Sequence, residues 1–113
     1  MCTKTLKNSM NKPNTELAYL AGVFDGEGSF GMWSRGKKKT KDFRLSVEMI
    51  DTDIILRFLK YFKKGSITTL GPRKEGYQRT FRWRVCSEEA RVIMREMLPF
   101  LSKRRQAKFK EAA

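Results

Sequence analysis

Two carboxylates beside glycines at a helix end are the residues of this sequence that favour chemistry most directly. Residues 20–28 read LAGVFDGEG and place Asp25 and Glu27 at the predicted C-terminus of a helix. The helix dipole disfavours negative charge there, so the acids need a cation or hydrogen-bond donors to compensate them. The chain has no histidine, so we expect any catalysis to use carboxylates, amines and hard metal ions. A tight glycine turn with exposed acids is the plainer alternative.

Small residues recur every four positions along the same predicted helix. Ala18, Gly22 and Gly26 would share one face, because residues four apart are neighbours on a helix surface. A glycine inside a helix costs about 1 kcal/mol relative to alanine. Close approach of a second helix would account for that cost.

The charge of the chain favours a polyanionic partner. Its 25 Lys and Arg residues outnumber its 12 Asp and Glu residues, for a net charge of +13, which is typical of nucleic-acid-binding domains. An acidic membrane surface is the weaker alternative. No apolar run approaches the roughly 18 residues of a membrane span, and the N-terminus lacks the apolar centre of a secretory signal. We therefore expect a soluble intracellular protein, and Cys2 and Cys86 suggest neither disulfides nor a zinc site.

The hydrophobic pattern predicts one α+β domain over residues 1–113, with elements in the order α-β-β-α-β-β-α. Four antiparallel strands would form one sheet, with the helices on one of its faces. Residues 34–42 are expected to be a basic loop between the first two strands. Residues 1–13 are expected to be flexible, and residues 103–113 to form a basic helical tail.

Polar residues are expected to cap the three main helices. Asn14 precedes the first helix, Asp51 and Thr52 begin the second, and Ser87 begins the third. Pro99 is expected to end the third helix.

The uncovered sheet face is predicted to contact DNA, because a β-ribbon fits the major groove and arginine reads guanine there. The outward strand positions are Gly31, Trp33, Arg35, Arg44, Ser46, Glu48, Thr68, Arg82 and Arg84. The loop adds Lys37, Lys38, Lys39 and Lys41 along the phosphates. Any solvated sheet face shows such alternation, so the positive bias, rather than the alternation, favours DNA.

The nonapeptide resembles the signature of the LAGLIDADG homing endonuclease family. The matching positions are Leu20, Ala21, Gly22, Asp25 and Gly28. Val23, Phe24 and Glu27 are conservative replacements, and Gly26 stands in place of alanine. The order of elements is also similar over nearly the whole chain. The resemblance implies a site-specific meganuclease that hydrolyses one phosphodiester in each strand of double-stranded DNA.

A single copy of the signature implies a homodimer with a near-palindromic target. The implied interface consists of Ala18, Ala21, Gly22, Asp25 and Gly26. The resemblance makes Glu27, with Gly26, the ligand of Mg²⁺, a site that Mn²⁺ or Ca²⁺ can also occupy. It makes Asp51 the residue that orients the attacking water, although Asp51 is equally suited to capping a helix. Lys103 would stabilise transition-state charge, and Arg104 and Arg105 would hold phosphates.

Two other functions fit parts of the sequence. A non-cleaving relative, acting as a maturase or transcriptional regulator, needs the basic sheet but not Glu27. A generic basic RNA-binding protein explains the charge but not the glycines of the helix. The chain is expected to be associated with DNA in a bacterium, a phage-infected cytoplasm or an organelle.

Overall fold

The computed structural model describes residues 14–34, 41–71, 76 and 78–112. It confirms the predicted α+β class and element order, with a further helix at the C-terminus. The helices are α1 (Thr15–Glu27), α2 (Thr52–Phe62), α3 (Ser87–Met97) and α4 (Lys103–Ala112), with a 3-10 turn at Leu98–Phe100. The strands are β1 (Gly28–Ser34), β2 (Lys41–Met49), β3 (Ser66–Leu70) and β4 (Thr80–Cys86).

The loop predicted over residues 34–42 is shorter than expected, because Ser34, Lys41 and Asp42 belong to strands. Lys41 lies directly opposite Ser34 in the β1–β2 ladder. Residues 35–40 and 1–13, on which the predictions of a basic loop and a flexible N-terminus fall, lie outside the described residues.

The four strands form one antiparallel sheet in the order β1-β2-β4-β3. β1 begins with Gly28 opposite Val47, and Met49 near the end of β2 lies opposite Phe81 near the start of β4. The C-terminus of α1, which runs directly into β1, therefore lies at the same end of the sheet as the start of α2. This register determines which side chains can meet around Glu27.

The core lies between the sheet and the helices and follows the predicted alternation. Phe43, Leu45 and Val47 of β2 are fully buried, and the residues between them are only partly covered. The ring of Phe109 packs edge-on against Phe43 at a centroid distance of 5.6 Å, so α4 is part of the packed domain. Burial of such large apolar side chains is the main source of stability for a domain of this size.

The helix boundaries confirm two of the predicted signals. The Asn14 side chain accepts a hydrogen bond from the Leu17 backbone N–H at 3.0 Å, and α3 ends at Met97, before Pro99. The cap predicted for Ser87 is wrong. Cys86 holds the cap position of α3, while Ser87 has a φ of 62° and its hydroxyl donates to the Asp42 carboxylate at 2.8 Å.

Candidate functional site

A groove of about 500 Å³ lies on the sheet face opposite the helices and reaches the end of α1. Its lining residues are Glu27, Ser29, Trp33, Arg44, Ser46, Glu48, Thr80, Arg82 and Arg84. Six of the predicted sheet-face residues therefore surround one groove, with Glu27 at its edge. Ser29 and Thr80 were missed, although both continue the outward alternation of their strands.

Some of the other predicted sheet-face residues lie on the strands, and the rest lie outside the described residues. Gly31 lies opposite Arg44, and Thr68 lies opposite Arg82 on the edge strand. Lys41 is exposed at the start of β2. The remaining predictions, Arg35, Lys37, Lys38 and Lys39, lie outside the described residues.

Hydrogen bonds order the polar floor of the groove. The Arg82 guanidinium donates to the Glu48 carboxylate at 3.2 Å, and the Thr80 hydroxyl donates to the other oxygen of Glu48 at 2.8 Å. The hydroxyls of Ser29 and Ser46 lie 3.2 Å apart. The groove thus presents hydrogen-bonding groups whose positions are already fixed.

The carboxylate of Asp25 is compensated within the chain. Its Oδ1 accepts a hydrogen bond from the Ser102 backbone N–H at 3.0 Å and lies 3.9 Å from the Arg105 Nε. Ser102 immediately precedes α4, and its carbonyl accepts the helical hydrogen bond from Gln106. The positive N-terminal end of the α4 dipole therefore offsets the unfavourable negative end of the α1 dipole at the Asp25 carboxylate. The interface role predicted for Asp25 stays a prediction, but its carboxylate has partners in its own chain.

Arg105 is directed into the chain instead of towards solvent. Its side chain is 17% exposed, and its guanidinium lies over the rings of Phe24 and Phe30 at 5.8 and 5.9 Å. The phosphate contact predicted for Arg105 stays a prediction, and its guanidinium has partners within its own chain. Lys103 and Arg104 are the exposed basic residues at the start of α4.

Glu27, by contrast, is exposed and makes no hydrogen bond or ion pair with the described part of the chain. Asp51 lies at the same end of the sheet, just after β2, and its side chain makes no capping hydrogen bond to α2. Lys103 follows Ser102, which Asp25 holds beside the end of α1. The topology therefore brings the three predicted catalytic residues to one end of the sheet.

The two faces of α1 have opposite environments. Leu20, Ala21 and Phe24 are fully buried in the core of their own chain, and the dimer contact predicted for Ala21 stays a prediction. A helix turns by about 100° per residue, which places Ala21 away from the stripe of small residues. On the other face, a Cβ added to Gly22 or to Gly26 would have no atom of the described chain within 4 Å.

A single chain provides few ligands for a metal ion. Among the described residues, no three acidic or thiol side chains cluster closely enough to hold one. The Glu27 carboxylate and the carbonyl of Gly26, in the last helical turn, are oxygen donors of the kind that Mg²⁺ and Ca²⁺ prefer. These two donors leave most of the coordination shell to water, a substrate phosphate or a second chain.

Solved structures of homing endonucleases have the same fold. The endonuclease I-CvuI, in complex with its target in the presence of Ca, is 25% identical and gives a TM-score of 0.63 over 87% of this chain and 68% of its own. The LAGLIDADG homing endonuclease I-GzeII, in complex with its DNA target, gives 0.63 at 20% identity, over 83% of this chain and 32% of its own. The chain therefore has the fold of the LAGLIDADG homing endonucleases, and its α1 motif resembles their signature.

A third solved structure shares the fold at lower sequence identity. The archaeal intron-encoded homing endonuclease I-Vdi141I, complexed with DNA, gives a TM-score of 0.65 at 18% identity, over 88% of this chain and 67% of its own. No protein-family profile and no curated protein sequence matches this chain. No helix among the described residues is long and apolar enough to cross a membrane.

The Asp25 contact generates a stability prediction. We expect Asp25→Ala to lower the free energy of unfolding by about 1 kcal/mol, because it removes an acceptor at a helix N-terminus. Asp25→Asn keeps an oxygen that can accept from Ser102 and is expected to lose less. Urea unfolding of both variants measures the difference. Equal stability of the natural chain and Asp25→Ala would contradict the assignment.

Proposed function

We propose that the chain is a homodimeric meganuclease that binds a near-palindromic double-stranded DNA site and hydrolyses one phosphodiester in each strand with divalent metal ions. The observation that carries the proposal is the position of Glu27. It is an exposed acid without a partner in the described chain, at the end of a helix with an open glycine face, and it borders the arginine-lined groove.

The open face of α1 supports a second copy of the chain as the partner. Gly22 and Gly26 each cost about 1 kcal/mol in a helix interior, and no contact within the described chain requires either glycine. A twofold axis along this face would pack the same residues of two chains against each other. The two Glu27 carboxylates would then lie close together and complete the ligand set that one chain lacks.

Each predicted site residue would have a separate role in the hydrolysis. A divalent ion, when bound, supplies a water of lowered pKa and neutralises charge on the scissile phosphate. Glu27 and the Gly26 carbonyl would hold that ion. The Asp51 carboxylate, which is not used for capping, would orient the attacking water and accept its proton, and Lys103 would stabilise charge developing on the phosphate. Ca²⁺ and Mn²⁺ are expected to bind the same donors as Mg²⁺.

The sheet and the net charge support DNA as the substrate. The charge of +13 attracts the phosphate backbone, which dominates affinity for DNA and makes it dependent on salt. Arg44 and Arg84 would contact base edges or phosphates from the groove, with the half-exposed Trp33 at its margin. The relative I-CvuI was solved with DNA targets in the presence of Ca or Mg, which agrees with this assignment.

Cleavage can be tested without knowing the target. A random duplex library is incubated with Mg²⁺ and either the natural chain, Glu27→Gln or the control Glu96→Gln, which changes an exposed acid on α3. We expect the natural chain and the control to cut one near-palindromic site, and Glu27→Gln to bind that site without cutting it. Enrichment of a bound site that the natural chain leaves uncut would overturn the nuclease and favour a non-cleaving regulator or maturase.

Self-association is tested by a bulky residue on the glycine face. We expect the natural chain to have twice its 13.2 kDa chain mass in solution, and Gly22→Leu to have the mass of one chain. Leucine favours helices, and a Cβ at Gly22 would have no atom of the described chain within 4 Å, so the variant should remain folded. The control is Glu96→Leu. A natural chain of single mass, or a dimeric Gly22→Leu, in sedimentation equilibrium would contradict the proposed interface.

A further inference from the structure

Glu48 and Arg82 form a charged pair across the two central strands of the groove. They are directly opposite each other in the β2–β4 ladder, and their side chains are 23% and 31% exposed. One terminal nitrogen of Arg82 lies 3.2 Å from Oε1 of Glu48, and Thr80 donates to Oε2 at 2.8 Å. Both groups of the pair are therefore oriented before any ligand arrives.

The pair presents donors beside an acceptor. A guanidinium has five N–H donors, and each oxygen of an ionised carboxylate can accept more than one hydrogen bond. Holding Glu48 uses one nitrogen of Arg82 and leaves further N–H donors for another acceptor. The side chains are already fixed, so binding through them loses less conformational entropy than ordering two free side chains.

One base pair matches this arrangement best. In the major groove guanine presents two acceptors, N7 and O6, and its cytosine partner presents a donor, N4, beside them. Arginine can contact both guanine acceptors, while glutamate accepts from cytosine. A pair containing thymine would instead place an apolar methyl group against the charges and leave part of the unit without a hydrogen bond.

We propose that Glu48 and Arg82 act as one unit that reads a single C·G base pair in each half-site. The inference rests on the proposed DNA-binding function and adds the identity of one base pair and of the residues that select it. Arg84 provides the contrast, because it lies opposite Ser46 and has no acidic partner across the strand.

The test is a binding selection that is independent of cleavage. A random duplex library with Ca²⁺ in place of Mg²⁺ is selected by the natural chain, Glu48→Gln, Arg82→Gln, the double variant and the control Arg84→Gln. We expect Glu48→Gln and Arg82→Gln each to weaken the C·G preference about tenfold at the same symmetry-related positions. The double variant should be little worse than either single change, as is usual for residues that act together. Arg84→Gln should leave these positions unchanged.

Three outcomes would overturn the unit while the natural chain still selects a site. The two single variants could alter different positions, neither could alter any preference, or the selected pair could contain A and T. Failure of the natural chain to select any site would overturn the proposed function itself, and this inference with it. Far-UV circular dichroism and salt-dependent binding to random duplex DNA check that each variant remains folded.

Discussion

The structure depends on how the carboxylates at the C-terminus of α1 are compensated, because the helix dipole is negative there. Two acids lie in its final turn region, where neither is favourable without compensation. The fold compensates Asp25 with the N-terminus of α4, through the Ser102 backbone N–H at 3.0 Å. That bond fixes where α4 begins and places Lys103 beside the motif. Glu27 receives no such partner within the described residues, and its carboxylate remains available at the edge of the groove.

The two faces of α1 have different roles: one packs into the core of the chain, and the other is left open for the proposed dimer contact. One face is buried with Leu20 and Phe24 in the aromatic core, where Gly28 allows close packing because a Cβ there would collide with the Phe24 ring. On the other face, a Cβ at Gly22 or Gly26 would meet no atom of the described residues within 4 Å. The glycines of the motif therefore have different roles. Gly28 permits packing within the chain, and Gly22 and Gly26 leave room for the second chain of the proposed dimer.

Much of the fold was predictable because periodicity is a local property. The alternation of Phe43, Leu45 and Val47 in β2, and the Asn14 cap, follow directly from neighbouring residues. The prediction of the α3 cap was wrong because a contact between residues distant in sequence is not visible in the local pattern. Ser87 does not cap its helix: Cys86 holds the cap position, and Ser87, with a φ of 62°, donates its hydroxyl to Asp42, a residue far away in sequence.

Within the candidate site, the sequence indicated the types of residue more readily than the direction in which each side chain points. The motif as a whole predicts an interface role for Ala21, and helical rotation directs this side chain into the core of its own chain. Arg105 was grouped with its basic neighbours, although Asp25 and two aromatic rings hold it inward. The pairing of Glu48 with Arg82 depends on strand register, which alternation alone does not determine.

In the proposed dimer, two Glu27 residues meet across the glycine face of α1. In a chain carrying Cys2→Ser and Cys86→Ser, Glu27→Cys can be treated with a short bifunctional thiol reagent and compared with Glu96→Cys. We predict rapid formation of a covalent dimer through residue 27 and little through residue 96. Equally slow cross-linking at both positions would show that the two motif ends do not meet and would contradict the account.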